Sequence, residues 1–165
     1  MAIFAHQNNR MTRDEWLTPQ HIIEDLGPFD LDPCAAENRP WPTAESHFTR
    51  RDNGLTQSWW GRVWLNPPYG CETASWVRRL ARHDNGIALL FARTETKIFF
   101  PWVWDYATAV LFCNGRITFC LPDGTPAKAN SGAPSVLVAY GQENARILNE
   151  CYFNRGKFIL LRGGE

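Results

Sequence analysis

The sequence predicts an α/β fold whose sheet is mainly parallel and has an antiparallel edge. Strand-like and helix-like segments alternate through the middle of the chain, and residues 87–92 form a continuous apolar run typical of a buried parallel strand. The last part of the chain has a hairpin-like pattern, which predicts the antiparallel edge. Residues 1–13 are polar and unpatterned, so we expect a flexible N-terminal arm followed by one domain over 14–165.

The first predicted elements are bounded by their terminating residues. Thr18-Pro19 predicts the cap and the first residue of a helix, which Gly27 ends. Residues 29–31 predict a short strand that runs into a turn at Asp32-Pro33. The density of Pro, Asn, Asp and Gly over 38–54 predicts a loop.

Further along the chain, residues 62–65 predict a strand that must stop at the two prolines 67 and 68, because proline donates no ladder hydrogen bond. Residues 73–83 predict an amphipathic helix, with apolar residues on one face and arginines on the other. The remaining predicted elements are a helix over 94–106, a piece of which Pro101 must start or kink, strands over 110–113, 116–121 and 135–140, a helix over 144–151 and a last strand over 157–161.

Composition excludes several classes of protein. The chain is 44% hydrophobic and 21% charged, which excludes intrinsic disorder, and its formal net charge of zero gives no overall basic signal for a nucleic-acid partner. Five cysteines without a CxxC pair, together with the lack of a signal-like start or a long apolar run, predict reduced thiols in a cytosolic protein with no membrane span. Four scattered histidines lack the spacing of a zinc site, so no metal is expected.

The segment Asn66-Pro67-Pro68-Tyr69 carries the chemical signal, because ligands of open α/β sheets bind beyond the carboxyl ends of the strands. An amino group conjugated to a ring or a carbonyl is a poor nucleophile. The Asn66 side-chain oxygen and a backbone carbonyl such as that of Pro67 can accept both of its hydrogens and leave the nitrogen lone pair available. The prolines hold that carbonyl rigidly, and Tyr69 offers a flat stacking face.

The methyl group of S-adenosylmethionine suits this arrangement, because the leaving group becomes a neutral thioether. Catalysis then depends mainly on positioning, which can contribute about 7–11 kcal/mol. The proton leaves after methyl transfer, so a strong general base is not required.

The motif Asn-Pro-Pro-Tyr after a strand resembles the catalytic motif of methyltransferases that modify adenine N6, cytosine N4 or glutamine N5. The ordered set DEWLTP, FDLDPCAA, WLNPPYG, FARTETKIFF, NGRITF and APS, spread over residues 14–141, resembles the phage-type (Dam-like) DNA N6-adenine methyltransferases. This resemblance implies a Rossmann-like methyltransferase sheet, S-adenosylmethionine as cofactor and double-stranded DNA as substrate. It also implies a location in the cytoplasm of a bacterial host, with the gene carried by a phage or prophage.

The resemblance also implies roles for individual residues. Asn66, Pro67, Pro68 and Tyr69 would hold a flipped adenine, since a base inside a duplex cannot be reached. The residues expected near the cofactor are Trp16, Thr18, Pro19, Asp32, Pro33 and Asp52. The residues expected near DNA are Arg50, Arg93, Lys97 and Arg116.

The chain departs from the family pattern at the cofactor loop, where Asp32-Pro33 leads into CAAENR without a Gly-x-Gly. About thirty residues separate this loop from Asn66, too few for two further strand–helix units, so a trimmed sheet is expected. The segment FDLDP then replaces either the first or the second strand.

Purely structural roles are alternatives for several of these residues. Thr18-Pro19 suits a plain helix cap, Asp32-Pro33 a plain strand-end turn, and Asp52 either a contact to the cofactor ribose or a cap of the turn at Asn53-Gly54. Alternative functions are N4-cytosine, RNA or protein-glutamine methylation, or DNA binding without catalysis. The oligomeric state is left open.

Overall fold

A computed structural model describes residues 16–152 and 156–162, so the predicted arm over 1–13 lies outside the described residues. The helices are α1 (Gln20–Leu26), α2 (Thr73–His83) and α3 (Gln142–Glu150), with a π-helical turn at Phe100–Trp104. The strands are β1 (Leu31–Asp32), β2 (Ser46–His47), β3 (Val63–Leu65), β4 (Gly86–Phe91), β5 (Ala109–Phe112), β6 (Ser135–Tyr140) and β7 (Lys157–Leu160).

Within the described residues, seven strands form one sheet in the order β2-β1-β3-β4-β6-β5-β7. The strands β2, β1, β3 and β4 are parallel neighbours. The strand β6 pairs antiparallel with β4 and β5, and β7 pairs antiparallel with β5. The mixed α/β class is therefore confirmed, but the antiparallel part is larger than the predicted edge, because β6 enters the middle of the sheet.

The core lies on both faces of the sheet. One face packs against α2 and the π-helical turn, where Val77, Leu80 and Val103 are fully buried. The opposite face packs against α1 and α3 and buries Leu26 and Leu148. Because both faces are covered, every residue of β6 is buried, which explains the continuous apolar runs of the central strands.

Several predicted elements match the structure closely. Residues 73–83 and 135–140 form α2 and β6 with the predicted bounds. The helix predicted after Thr18-Pro19 is α1, and Gly27 ends it by donating its backbone N–H to the carbonyl of Ile23. The N-cap position is Pro19, and α1 has no side-chain cap, so the interpretation of Thr18 as a helix cap is wrong.

Two other predictions differ from the structure. Residues 94–106 form no continuous helix, but Pro101 does start a shorter piece: Phe100–Trp104 make a π-helical turn with Pro101 in its first turn, where the missing N–H costs no hydrogen bond. Residues 116–121 form no strand of the sheet and instead fold back against residues 125–131 in a loop closed by backbone hydrogen bonds. The predicted loop over 38–54 is irregular as expected, except for β2, which is only two residues long.

Candidate active site

The parallel strands bring the predicted motifs to one edge of the sheet. Leu31 of β1 lies opposite Val63 of β3, and Leu65 of β3 lies opposite Ala88 of β4. The carboxyl ends of β1, β3 and β4 therefore face the same way. Asp32 ends β1, the segment 66–69 follows β3, and Arg93 follows β4 at this edge.

Asn66 lies directly after β3 and is half-buried. Its side-chain Nδ2 donates to the Thr18 hydroxyl at 3.3 Å. Among the described residues, none donates to the Asn66 Oδ1 or to the Pro67 carbonyl. This orientation of the amide leaves two acceptors next to each other in the chain, which is the arrangement that a planar amino group requires.

Thr18 is buried, and it joins Asn66 to a second loop. Its hydroxyl accepts the hydrogen bond from Asn66, and its backbone carbonyl accepts one from the Trp41 indole at 3.2 Å. The segment is fixed further by two backbone hydrogen bonds between Leu17 and Cys120. The structure thus places Thr18 in contact with Asn66. Trp41 was missed because a single Trp between two prolines shows no periodic pattern.

Cys34 is a further site residue that sequence reasoning missed. Its thiol donates to the Asn66 carbonyl at 3.3 Å, and its backbone N–H donates to the Asp32 carboxylate at 3.0 Å. Burial and the neighbouring Asp32 raise the pKa of this thiol well above its ordinary value, so it stays a neutral donor. The β1 loop is thereby tied to the loop that carries Asn66.

Asp32 is buried, and both of its carboxylate oxygens have protein partners. Oδ1 accepts from the Cys34 backbone, and Oδ2 accepts from the Thr43 hydroxyl at 2.5 Å. Burial raises the pKa of Asp32 to about 6, although the Thr43 hydrogen bond opposes the shift. Pro33 is also buried. Its carbonyl oxygen packs so closely against Gly54 that a Cβ added at Gly54 would lie 1.9 Å from it. The carboxylate therefore organises the loop from within.

Tyr69 is half-exposed, but its hydroxyl end is enclosed. The hydroxyl accepts a hydrogen bond from the Phe91 backbone at 2.8 Å, and the two rings stack at 4.2 Å between centroids. Burial raises the pKa of Tyr69 to about 12, so the phenol is neutral. The Thr73 hydroxyl donates to the Pro68 carbonyl and fixes the loop between them. One face of the Tyr69 ring is therefore covered and the loop that carries it is braced.

A crevice of about 280 Å³ lies beyond β1 and β2. Trp41 and its flanking prolines line it together with Glu37, Arg39 and His47. His47 Nε2 accepts hydrogen bonds from the backbone of Thr43 and Ala44, and burial lowers the pKa of His47. The imidazole is thus neutral with its proton on Nδ1. Trp41, which lines this crevice, donates to the Thr18 carbonyl, and the Thr18 hydroxyl accepts from Asn66.

The other predicted site residues, except Pro19, lie at the surface. Asp52 accepts hydrogen bonds from the backbone and hydroxyl of Thr49, which lower its pKa and cap the turn over 49–52. Arg116 is exposed and donates to the Ser131 carbonyl across the loop over 116–131. Trp16, Arg50, Arg93 and Lys97 are exposed as well, and Pro19 is buried at the start of α1.

No helix of the described part has the length and apolarity to cross a bilayer. In the same residues there is no group of three or more His, Cys, Asp or Glu side chains that could hold a metal ion.

The comparisons with known proteins give one match. The family model for DNA N-6-adenine-methyltransferase (Dam) matches residues 6–159, which is nearly the whole chain. No curated protein and no solved structure matches the chain.

Proposed function

The chain belongs to the DNA N-6-adenine-methyltransferase (Dam) family, and from that premise we propose that it transfers the methyl group of S-adenosylmethionine to the N6 amino group of adenine in double-stranded DNA. The observation that carries the proposal is the orientation of Asn66. Its amide nitrogen is turned to Thr18, so its oxygen is available as an acceptor beside the Pro67 carbonyl.

In this proposal the target adenine leaves the duplex and enters the loop over 66–69. Asn66 Oδ1 and the Pro67 carbonyl accept the two N6 hydrogens. These two hydrogen bonds oppose the delocalisation of the nitrogen lone pair into the ring and direct it towards the methyl group. The exposed part of the Tyr69 ring receives the face of the adenine. Stacking of a base on an aromatic side chain contributes about 1–3 kcal/mol per base to binding.

S-adenosylmethionine, when bound, supplies an electrophilic methyl group on a sulfonium whose departure gives a neutral thioether. We propose that the crevice lined by Trp41 holds the nucleoside part of this cofactor, because Trp41 and two prolines offer apolar surface and Glu37 and His47 offer polar groups. Asp32 and Pro33 are proposed to shape, from within, the loop that follows β1 and lines this crevice. Trp16, Pro19 and Asp52 remain further candidates for cofactor contacts.

The sheet order supports a shortened methyltransferase fold. In a doubly wound sheet of order 3-2-1-4-5, the first strand neighbours the fourth. Here β1 neighbours β3, which Asn66 directly follows, and β2 lies outside β1. We therefore assign the segment FDLDP to the first strand of a trimmed Rossmann-like sheet, within one domain over 14–165.

DNA contacts are proposed at the exposed basic residues. Arg93 follows β4 beside Tyr69, and Lys97 lies four residues further along the chain. Arg50 and Arg116 are exposed on other loops. Because the formal net charge is zero, we expect modest and salt-sensitive affinity of the isolated chain for DNA.

Nucleoside mass spectrometry tests the proposal. The purified protein is incubated with methyl-labelled S-adenosylmethionine and unmethylated bacterial DNA, and RNA and protein acceptors are assayed in parallel. Label in N6-methyladenine of DNA is the expected result. Label in N4-methylcytosine, RNA or glutamine would identify one of the alternative methyltransferases. DNA binding without any transfer would identify a non-catalytic relative.

A further inference from the structure

We propose that Phe91 is a positioning residue that holds Tyr69 in the orientation in which it receives the target base. This inference rests on the proposed function, since it concerns how the proposed base pocket is built. Phe91 is the last residue of β4 and lies outside the motif of residues 66–69.

Phe91 contacts Tyr69 in two independent ways. The rings stack with centroids 4.2 Å apart and planes inclined by 17°. The Phe91 backbone N–H also donates to the Tyr69 hydroxyl at 2.8 Å. The stack fixes the plane of the Tyr69 ring, and the hydrogen bond fixes the direction in which its hydroxyl end points.

The hydrogen bond follows from unequal strand lengths. β3 ends at Leu65 opposite Ala88, whereas β4 continues to Phe91. The N–H of Ala92 donates to Pro134 on the β6 side, so the N–H of Phe91 points to the other side, where β3 has ended. The Tyr69 hydroxyl takes the place of the missing strand carbonyl. The position of Tyr69 is thus coupled to the backbone of the sheet.

The consequence concerns the face that a base can use. Phe91 covers one face of the Tyr69 ring, so a base stacks on the opposite face. Arg93 lies near the stacked rings of Tyr69 and Phe91, with its guanidinium 5.8 Å from the centroid of the Phe91 ring. A ring that is already fixed loses little conformational entropy when the base arrives, which favours binding.

The test compares Phe91→Leu, Phe91→Tyr and Tyr69→Phe in steady-state methyl transfer to unmethylated plasmid DNA. Phe91→Leu keeps apolar bulk and removes the ring, and we expect it to raise KM for DNA by about 2- to 12-fold, which corresponds to the worth of an aromatic pair. Phe91→Tyr keeps the aromatic stack and should therefore keep the wild-type KM for DNA. Tyr69→Phe removes the hydroxyl anchor and should raise KM within the same range.

Two controls separate positioning from loss of structure. Phe112→Leu changes a half-buried phenylalanine at the end of β5, outside the site, and should leave KM unchanged. The double variant of Phe91→Leu and Tyr69→Phe should lose less than the product of the two single losses, because both changes release the same ring.

Equilibrium binding to the same plasmid DNA fragments keeps the inference testable without turnover. If the wild-type protein transfers no methyl group, the proposed function fails, and the DNA affinity of Phe91→Leu still decides this inference. Weaker binding that Phe91→Tyr restores supports it. Unchanged binding and KM in Phe91→Leu would overturn it, and tighter binding would show instead that the Phe91 ring competes with the base.

Discussion

Replacement of Asp32 by Asn is expected to stabilise the protein at neutral pH. Asp32 is 4% exposed, and its two oxygens accept from the Cys34 backbone and the Thr43 hydroxyl. An asparagine can keep both contacts, with its oxygen accepting from Cys34 and its nitrogen donating to the Thr43 oxygen. What the substitution removes is the cost of holding a negative charge in a buried position.

The magnitude follows from the pKa. Burial raises the pKa of Asp32 from 3.8 to about 6. A difference of about 2 units corresponds to about 3 kcal/mol in the free energy of unfolding. Because the folded-state pKa is raised, the contribution of about 3 kcal/mol to the stability of the wild-type protein is present in full below pH 3.8. It is lost progressively as the pH rises to about 6. Asp32→Asn has no such loss, so its advantage grows across this pH window.

Urea unfolding followed by tryptophan fluorescence, repeated from pH 4 to pH 8, measures the effect. We expect the two proteins to differ little at pH 4 and Asp32→Asn to be more stable by up to about 3 kcal/mol at pH 8. Asp52→Asn serves as a control of opposite sign, because hydrogen bonds from Thr49 lower the pKa of the exposed Asp52. Parallel pH profiles of the wild type and Asp32→Asn, or a less stable variant at pH 8, would refute the reasoning.

Three further predictions concern packing, a turn and DNA binding. Leu137→Ala opens a cavity in the fully buried β6 and should cost about 2–5 kcal/mol in urea unfolding; a loss below 1 kcal/mol would contradict the buried position. Gly124→Ala should lower the free energy of unfolding by about 1–2 kcal/mol, because φ at Gly124 is +85° and an added Cβ would lie 2.8 Å from the Pro40 side chain. Gly132→Ala, with open space around the added carbon, should not, and equal losses would count against the turn geometry. Arg93→Gln should reduce the slope of log affinity for DNA against log salt by about 1, whereas Arg146→Gln, which removes a residue paired with glutamates on α3, should leave it unchanged.

The loop that carries Asn66 could be predicted from the sequence because its signals are local. Two consecutive prolines must end a strand, so β3 and the position of Asn66 after it follow from residue types alone. The amphipathic helix α2 follows from its apolar spacing in the same way.

Long-range contacts explain what could not be predicted. The strand β2 exists because Ser46 and Phe48 donate to the carbonyls of Asp30 and Asp32, and two residues carry no periodic pattern of their own. The insertion of β6 between β4 and β5 also has no local signal, since an apolar run shows burial but not order in the sheet.

The same limit applies to the candidate site. The hydrogen bond from Cys34 to Asn66 joins residues 32 positions apart, and that from Trp41 to Thr18 joins residues 23 positions apart. The sequence singled out Thr18, Asp32 and Asn66 as candidates, but it gave no signal for the contacts of Cys34 with Asp32 and Asn66 or of Trp41 with Thr18.

Single-turnover methylation by Asn66→Ala tests the central claim most directly. The wild-type protein and the variant are mixed with S-adenosylmethionine and unmethylated DNA, and N6-methyladenine is quantified over time, while calorimetry measures cofactor affinity separately. Loss of a preorganised catalytic hydrogen bond commonly lowers turnover by about 100-fold or more. We predict a loss of at least that size with cofactor affinity unchanged within a few-fold. An unaltered rate of N6-methyladenine formation in Asn66→Ala would contradict the account.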